Sequence, residues 1–182
     1  LNQEGELVEK SLRGDMKSFE TLVNLYKDKM YCFLFKMTLS KEDSDDLLQE
    51  TFICVFKNLY KYNDKWKFST WIYKIATNLL KNYWKKKEKL HTRELSQFPL
   101  DDLYSDFNNP EIKYENKESY LQIVKILNEL DYNYKIVFVL KYVKDFSIAD
   151  IANITGVSPE NVKMRIYRTR KKICKEFKKY EM

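Results

Sequence analysis

The sequence predicts an all-α protein made of two small helical domains joined by an acidic linker. Three observations carry that expectation. Apolar residues recur every three or four positions rather than alternating, the spacing of one helical face and not of a strand. Only three Gly and three Pro punctuate 182 residues, which leaves room for long uninterrupted helices. The charge changes sign twice: residues 1–90 carry 17 Lys and Arg against 13 Asp and Glu, residues 91–116 carry 2 against 6, and residues 117–182 carry 14 against 8. This length suits one ordinary domain or two small ones, and the double change of sign favours two: 1–90 and 117–182.

In the first domain the periodicity places helices at 4–13, 16–38, 43–61 and 68–89. The segment "HTRELSQFPLDDLYSDFNNPEIKYEN", residues 91–116, holds two of the three prolines and no sustained helical period, so it reads as the linker. The second domain follows with helices at 117–129, 132–143, 147–154 and 158–179. Ser147 and Ser158 are N-cap residues by type, and Pro159 stands at the first helical position, where its missing N–H costs nothing. Gly156 suits a positive φ in the turn between the last two helices.

Cys32, Cys54 and Cys174 are odd in number and far apart, without metal-ligand spacing. They read as reduced core thiols of a cytoplasmic protein. No apolar run reaches the roughly 18 residues of a membrane span, and "LNQEGELVEK" lacks the basic and apolar blocks of a signal peptide.

Three helical faces carry the functional signal. In "DDLLQETF", residues 45–52, a helical wheel centred on Leu48 brings Leu48, Phe52, Val55 and Leu59 within about 40° as the expected buried stripe. Asp46, Gln49, Glu50 and Ile53 then fall roughly 100–200° away and face outward. Spacing alone leaves three readings open: a plain solvated face, a carboxylate site for a hard cation, or a docking patch for a basic protein with Ile53 as its apolar anchor.

In the next helix, "STWIYKIATNLLKNYWKKKEK", Ile72, Ile75, Ala76, Leu79 and Tyr83 form the expected core stripe. Lys74, Asn78, Lys81 and Lys85 run at i, i+4, i+7 and i+11 along the far side. Such an edge can follow phosphates, and its amide can bond base edges. Upstream, Tyr60, Tyr62, Trp66 and Phe68 are interleaved with lysines in "YKYNDKWKF", a pattern suited to stacking unpaired bases. A lysine-covered surface over buried aromatics has the same sequence pattern.

The C-terminal stretch "FSIADIANITGVSPENVKMRIYRTRKKI" reads as a helix-turn-helix. With Val162 as origin, Ile166, Thr169 and Ile173 turn inward, whereas Lys163, Met164, Tyr167 and Lys171 lie opposite with Arg168 on their flank. A helix inserted in a DNA major groove presents side chains in this way.

Taken in order, "GDMKSFETLVNLYKDKMY", "DLLQETF", "FSTWIYKIATN" and "GVSPENVKMRIYRTRKKI" resemble the extracytoplasmic-function (ECF, group IV) RNA polymerase sigma factors of the sigma-70 family. The resemblance covers nearly the whole chain. It implies that residues 1–90 are region 2, a helical bundle, and residues 117–182 region 4, the helix-turn-helix. It further implies a non-enzymatic factor, needing no cofactor, that binds core polymerase and promoter DNA, promotes DNA opening, and is often held by an anti-sigma factor. On that resemblance Asp46, Gln49 and Glu50, with Ile53, would meet the polymerase's largest subunit. Tyr62 and Asn78 would take a flipped base of the minus-10 element, with Lys74, Lys81, Asn82 and Lys85 along its strand. Lys163, Met164, Tyr167, Arg168 and Lys171 would read or clamp the minus-35 element. Three departures stand out: Asn82 and Leu130-Asp131 occupy positions where many members carry Asp and Leu-Pro, and Met164 replaces a commoner small polar residue on the reading face.

Two other functions are compatible with parts of the sequence. A stand-alone helix-turn-helix regulator explains 147–173 but leaves the acidic patch and the Lys74/Asn78/Lys81/Lys85 edge unused. A metal-dependent nuclease would recruit Asp43, Asp45 and Asp46, yet the single histidine, His91, lies in the linker and no nucleophile–base pair accompanies it.

Overall fold

The computed structural model describes residues 3–89 and 117–180, and those residues are helical with short turns between. The 91–116 linker lies outside the described residues. The helices are α1 (Gln3–Leu12), α2 (Met16–Thr38), α3 (Lys41–Asn58), a short 3-10 turn (Leu59–Lys61), α4 (Phe68–Lys89), α5 (Lys117–Asn128), α6 (Tyr132–Tyr142), α7 (Ile148–Thr155) and α8 (Pro159–Tyr180). The chain divides into two compact units, the first built on α1–α4 and the second on α5–α8.

In the first unit α2 is the central helix, packed against α1, α3 and α4. Its C-terminal half is buried on every side from Phe33 through Thr38, the signature of a helix wrapped by its neighbours. Full burial of Met30, Phe33 and Leu34 contributes about 1.5–3 kcal/mol for each. Asp15 caps α2 by accepting from the Lys17 N–H at 3.0 Å and the Ser18 hydroxyl at 2.7 Å. The Tyr26 hydroxyl donates to the Glu4 carboxylate, tying α1 to α2, and burial together with that acid holds the phenol far above its usual pKa.

Helix α3 begins two residues earlier than its periodicity suggests, because Ser40 accepts from the Asp43 N–H at 3.1 Å and caps it. It ends at Asn58 rather than 61, the chain tightening there into the 3-10 turn. Its buried stripe is also rotated from expectation. Ser44, Leu47, Thr51, Val55 and Leu59 are buried, whereas Leu48 and Phe52 are half-exposed. The reason is that two hydroxyls are satisfied internally: Ser44 bonds Thr38 at 2.8 Å and Thr51 donates to the Leu47 carbonyl at 2.6 Å. A bonded hydroxyl is buried at little cost. Helix α4 is rotated likewise: Phe68, Thr70, Ile72, Tyr73, Ala76, Thr77 and Leu80 are buried, while Ile75, Leu79 and Tyr83 are half-exposed.

In the second unit α8 packs on α6 and α5 over a core that includes Val124, Leu127, Ile136, Leu140, Ile151 and Val162. Asp131 caps α6 by accepting from the Asn133 N–H at 2.8 Å. Ser147 accepts from the Asp150 N–H at 3.1 Å and Ser158 from the Asn161 N–H at 3.3 Å. Gly156 ends α7 at φ +71°. The caps, the Pro159 start and the left-handed glycine thus stand where the residue types place them.

All three cysteines are free, and Cys174 is exposed rather than buried in the core, with Cys32 and Cys54 half-exposed. Among the described residues no helix is long and apolar enough to cross a membrane.

Candidate functional site

The outward side of α3 carries Asp46, Gln49 and Glu50, all exposed, and Ile53, 45% exposed. Because the buried stripe centres between Thr51 and Val55 rather than on Leu48, these four residues lie squarely opposite the core. The patch continues beyond what the spacing alone singles out. Phe56, one turn past Ile53, is 52% exposed and meets Phe19 of α2 edge-on with ring centroids 5.1 Å apart. A carboxylate row ending in an exposed Phe56 backed by the half-buried Phe19 fits a basic, partly apolar protein surface better than an isolated solvated face. The signal for Phe56 was its i+3 spacing from Ile53; Phe19 lies on another helix, and only tertiary packing brings it near.

The possible cation site among the aspartates does not assemble. Asp45 and Asp46 are exposed, but the Asp43 carboxylate turns toward α4 and accepts from the Tyr83 hydroxyl at 2.8 Å and from Lys87 Nζ at 3.0 Å. Among the described residues no group of three or more His, Cys, Asp and Glu side chains converges as metal ligands.

On α4, Lys74, Asn78, Lys81, Asn82 and Lys85 are all exposed on one side of the helix. At its N-terminal end stands an aromatic cluster. Tyr62 is half-exposed, meets Phe68 and Trp71 edge-on with centroids 5.5 Å apart in each case, and donates its hydroxyl to the Trp66 carbonyl at 2.9 Å. Burial raises its phenol pKa. The four sequence-selected aromatics separate here: Tyr60 is 72% exposed and Trp66 37%, but Phe68 is 2% exposed and supports the cluster from beneath, so it offers no face to a base. Trp71, half-exposed beside Tyr62, takes its place at the surface.

In the second unit Lys163, Met164, Tyr167, Arg168 and Lys171 are exposed on α8, with Val162 and Thr169 buried behind them. Ile166 and Ile173 are half-exposed rather than buried. Lys163, Tyr167 and Lys171 share a shallow crevice with Ile148, Ile166, Arg170 and Cys174. Arg168 leans the other way, its Nη1 donating to the Tyr134 hydroxyl at 3.2 Å, while Arg165 Nη1 reaches the Asn133 carbonyl at 3.5 Å. A cationic helix end with one arginine held by a neighbouring phenol is a pre-ordered donor set for phosphates and base edges.

Comparison with known proteins decides what these faces belong to. Residues 22–90 match the family model Sigma-70 region 2, and residues 120–173 match Sigma-70, region 4. The chain is 31% identical over 174 residues to the ECF RNA polymerase sigma factor SigW of Bacillus subtilis, covering 91% of this chain and 92% of that one. The chain belongs to the ECF sigma factors of the sigma-70 family. It is also 28% identical over 173 residues to the ECF RNA polymerase sigma-E factor of Haemophilus influenzae, covering 92% of this chain and 91% of the other. In fold it is similar to CnrH, solved in complex with the cytosolic domain of CnrY, with a TM-score of 0.70 at 20% identity over 97% of this chain and 98% of that one. RpoE of Bartonella quintana, solved with the anti-sigma factor NepR, gives 0.64 at 19% identity over 89% and 98%. This sigma factor therefore acts in promoter recognition and transcription initiation.

Proposed function

We propose that this ECF sigma factor, of the group IV type, divides its work among the three faces. Asp46, Gln49, Glu50 and Ile53, extended by Phe56 and Phe19, dock on core polymerase. Tyr62, Lys74, Asn78, Lys81, Asn82 and Lys85 hold the minus-10 strand, with Trp71 as a further stacking surface. Lys163, Met164, Tyr167, Arg168 and Lys171 contact the minus-35 element. Residues 1–90 then form the docking and opening domain, 117–182 the minus-35 domain, and 91–116 the acidic connection.

The observation that carries this reading is the segregation of charge by helix: exposed carboxylates on α3, exposed cations on α4 and on α8. The acids meet a protein and the cations meet DNA. Opening needs no catalytic residue, because extruding a base costs only a few kcal/mol and stacking contributes about 1–3 kcal/mol per base. Elements 17 base pairs apart are about 58 Å apart along the duplex, and a 26-residue connection reaches at most roughly 85–90 Å, so both DNA faces can engage one promoter. The work is done in the cytoplasm, where the polymerase is. That the solved relatives CnrH and RpoE are each held by a protein partner, CnrY and an anti-sigma factor, supports an anti-sigma partner here too.

The test separates the two DNA faces. Asn78→Ala lowers promoter opening, read by permanganate reactivity, more than duplex binding. Arg168→Ala weakens minus-35 binding and shortens its salt slope by about one. Equal losses in both assays for both variants would contradict the division.

A further inference from the structure

Asp43 stands apart from the other acids of α3. Asp45, Asp46 and Glu50 face solvent, whereas one oxygen of Asp43 accepts from both the Tyr83 hydroxyl, at 2.8 Å, and Lys87 Nζ, at 3.0 Å. Lys87 Nζ also lies 4.8 Å from the centre of the Tyr83 ring. On the other side the Asp43 N–H donates to the Ser40 side chain that caps α3. A single carboxylate thus fastens the first turn of α3 to the last turns of α4.

The location matters because of what α4 lacks there. The buried residues of α4 end at Leu80, and none of residues 81–89 is fully buried. Beyond that point only Tyr83 and Trp84, both half-buried, continue the packing, and Lys81, Asn82 and Lys85 of the cationic edge lie on this more weakly held stretch. Side-chain exposures of 36% for Lys87 and 30% for Asp43 leave the pair wet enough that its contribution to global stability is small. Its geometric effect is not small, since two hydrogen bonds to one charged acceptor fix direction as well as distance.

We propose that Asp43 is a positioning residue for DNA opening: through Tyr83 and Lys87 it locks the exposed end of α4 to the helix that docks on polymerase. It thereby sets where Lys81, Asn82 and Lys85 meet the strand. The idea rests on the function proposed above, and it assigns Asp43 to neither the polymerase face nor the DNA face.

The experiment uses the full chain with core polymerase and compares the parent with Asp43→Ala, Asp43→Glu, Lys87→Met and the Asp43→Ala/Lys87→Met double variant. Melting midpoints stay within about 3 °C of the parent, and polymerase affinity changes less than about two-fold. Open-complex formation on a duplex promoter falls about ten-fold in Asp43→Ala, returns toward the parent in Asp43→Glu, and falls no further in the double variant than in the worse single one. On a template already unpaired across the start region, Asp43→Ala initiates as well as the parent. Parental opening by Asp43→Ala, an equal loss on the pre-opened template, or a loss that merely follows polymerase affinity would overturn the proposal. A parent unable to open any promoter would instead overturn the function it rests on, and the parent alone reveals that.

Discussion

At the scale of single residues, charge sign and depth decide the roles. Glu50 is exposed on α3, so Glu50→Lys leaves the melting midpoint unchanged while reversing the charge offered to a basic partner. Core polymerase affinity should fall at least about ten-fold, since like charges brought together at an interface cost several kcal/mol; undiminished binding in a pull-down would remove Glu50 from the docking face. Lys135 is the opposite case. It is 6% exposed, its ammonium donates to Asn128 Oδ1 at 2.8 Å, and burial pushes its pKa down to about 7 from 10.5. The unfolded chain keeps this proton up to about pH 10.5 whereas the folded chain releases it near 7. Between those values the unfolded state binds more protons, so this residue makes stability rise with pH across that window. Lys135→Met should raise the melting midpoint by roughly 5 °C at pH 7 and flatten that rise; an unchanged pH profile would count against the buried cation.

At the scale of helices, the ends of α7 and α8 were legible, whereas the ends of α3 and the rotations of α3 and α4 were not. Ser147, Ser158, Pro159 and Gly156 marked the ends of α7 and α8 because caps and left-handed turns select residue types locally. Gly156 gives a direct check. A Cβ there would meet nothing within 4 Å, but φ is +71°, so Gly156→Ala should destabilise the second unit by about 1 kcal/mol purely through backbone strain; a neutral change in denaturant titration would contradict the left-handed geometry. The faces of α3 and α4 were harder to read. Ser44, Thr51, Thr70 and Thr77 look polar in sequence but are buried, which shifts each stripe away from the position its aliphatic residues suggest. The exposed charged sets survived this shift because they lie opposite both the expected and the observed stripe.

At the scale of the whole molecule, the all-α class and the division into two units follow from periodicity and charge alone. The order of the motifs then supplied the family, which the 31% identity to SigW establishes together with the region 2 and region 4 matches. What could not be read were contacts between helices: Phe19 against Phe56, Arg168 on Tyr134, and Asp43 on Tyr83 and Lys87. Each joins residues whose pairing is set by packing rather than by local spacing. The most direct measurement of the central claim is run-off transcription with core polymerase lacking other sigma subunits, over a library of candidate promoters. The account predicts defined start sites with the parent, and their loss with Glu50→Lys. No transcript from any promoter, together with no association between the factor and the polymerase, would contradict it.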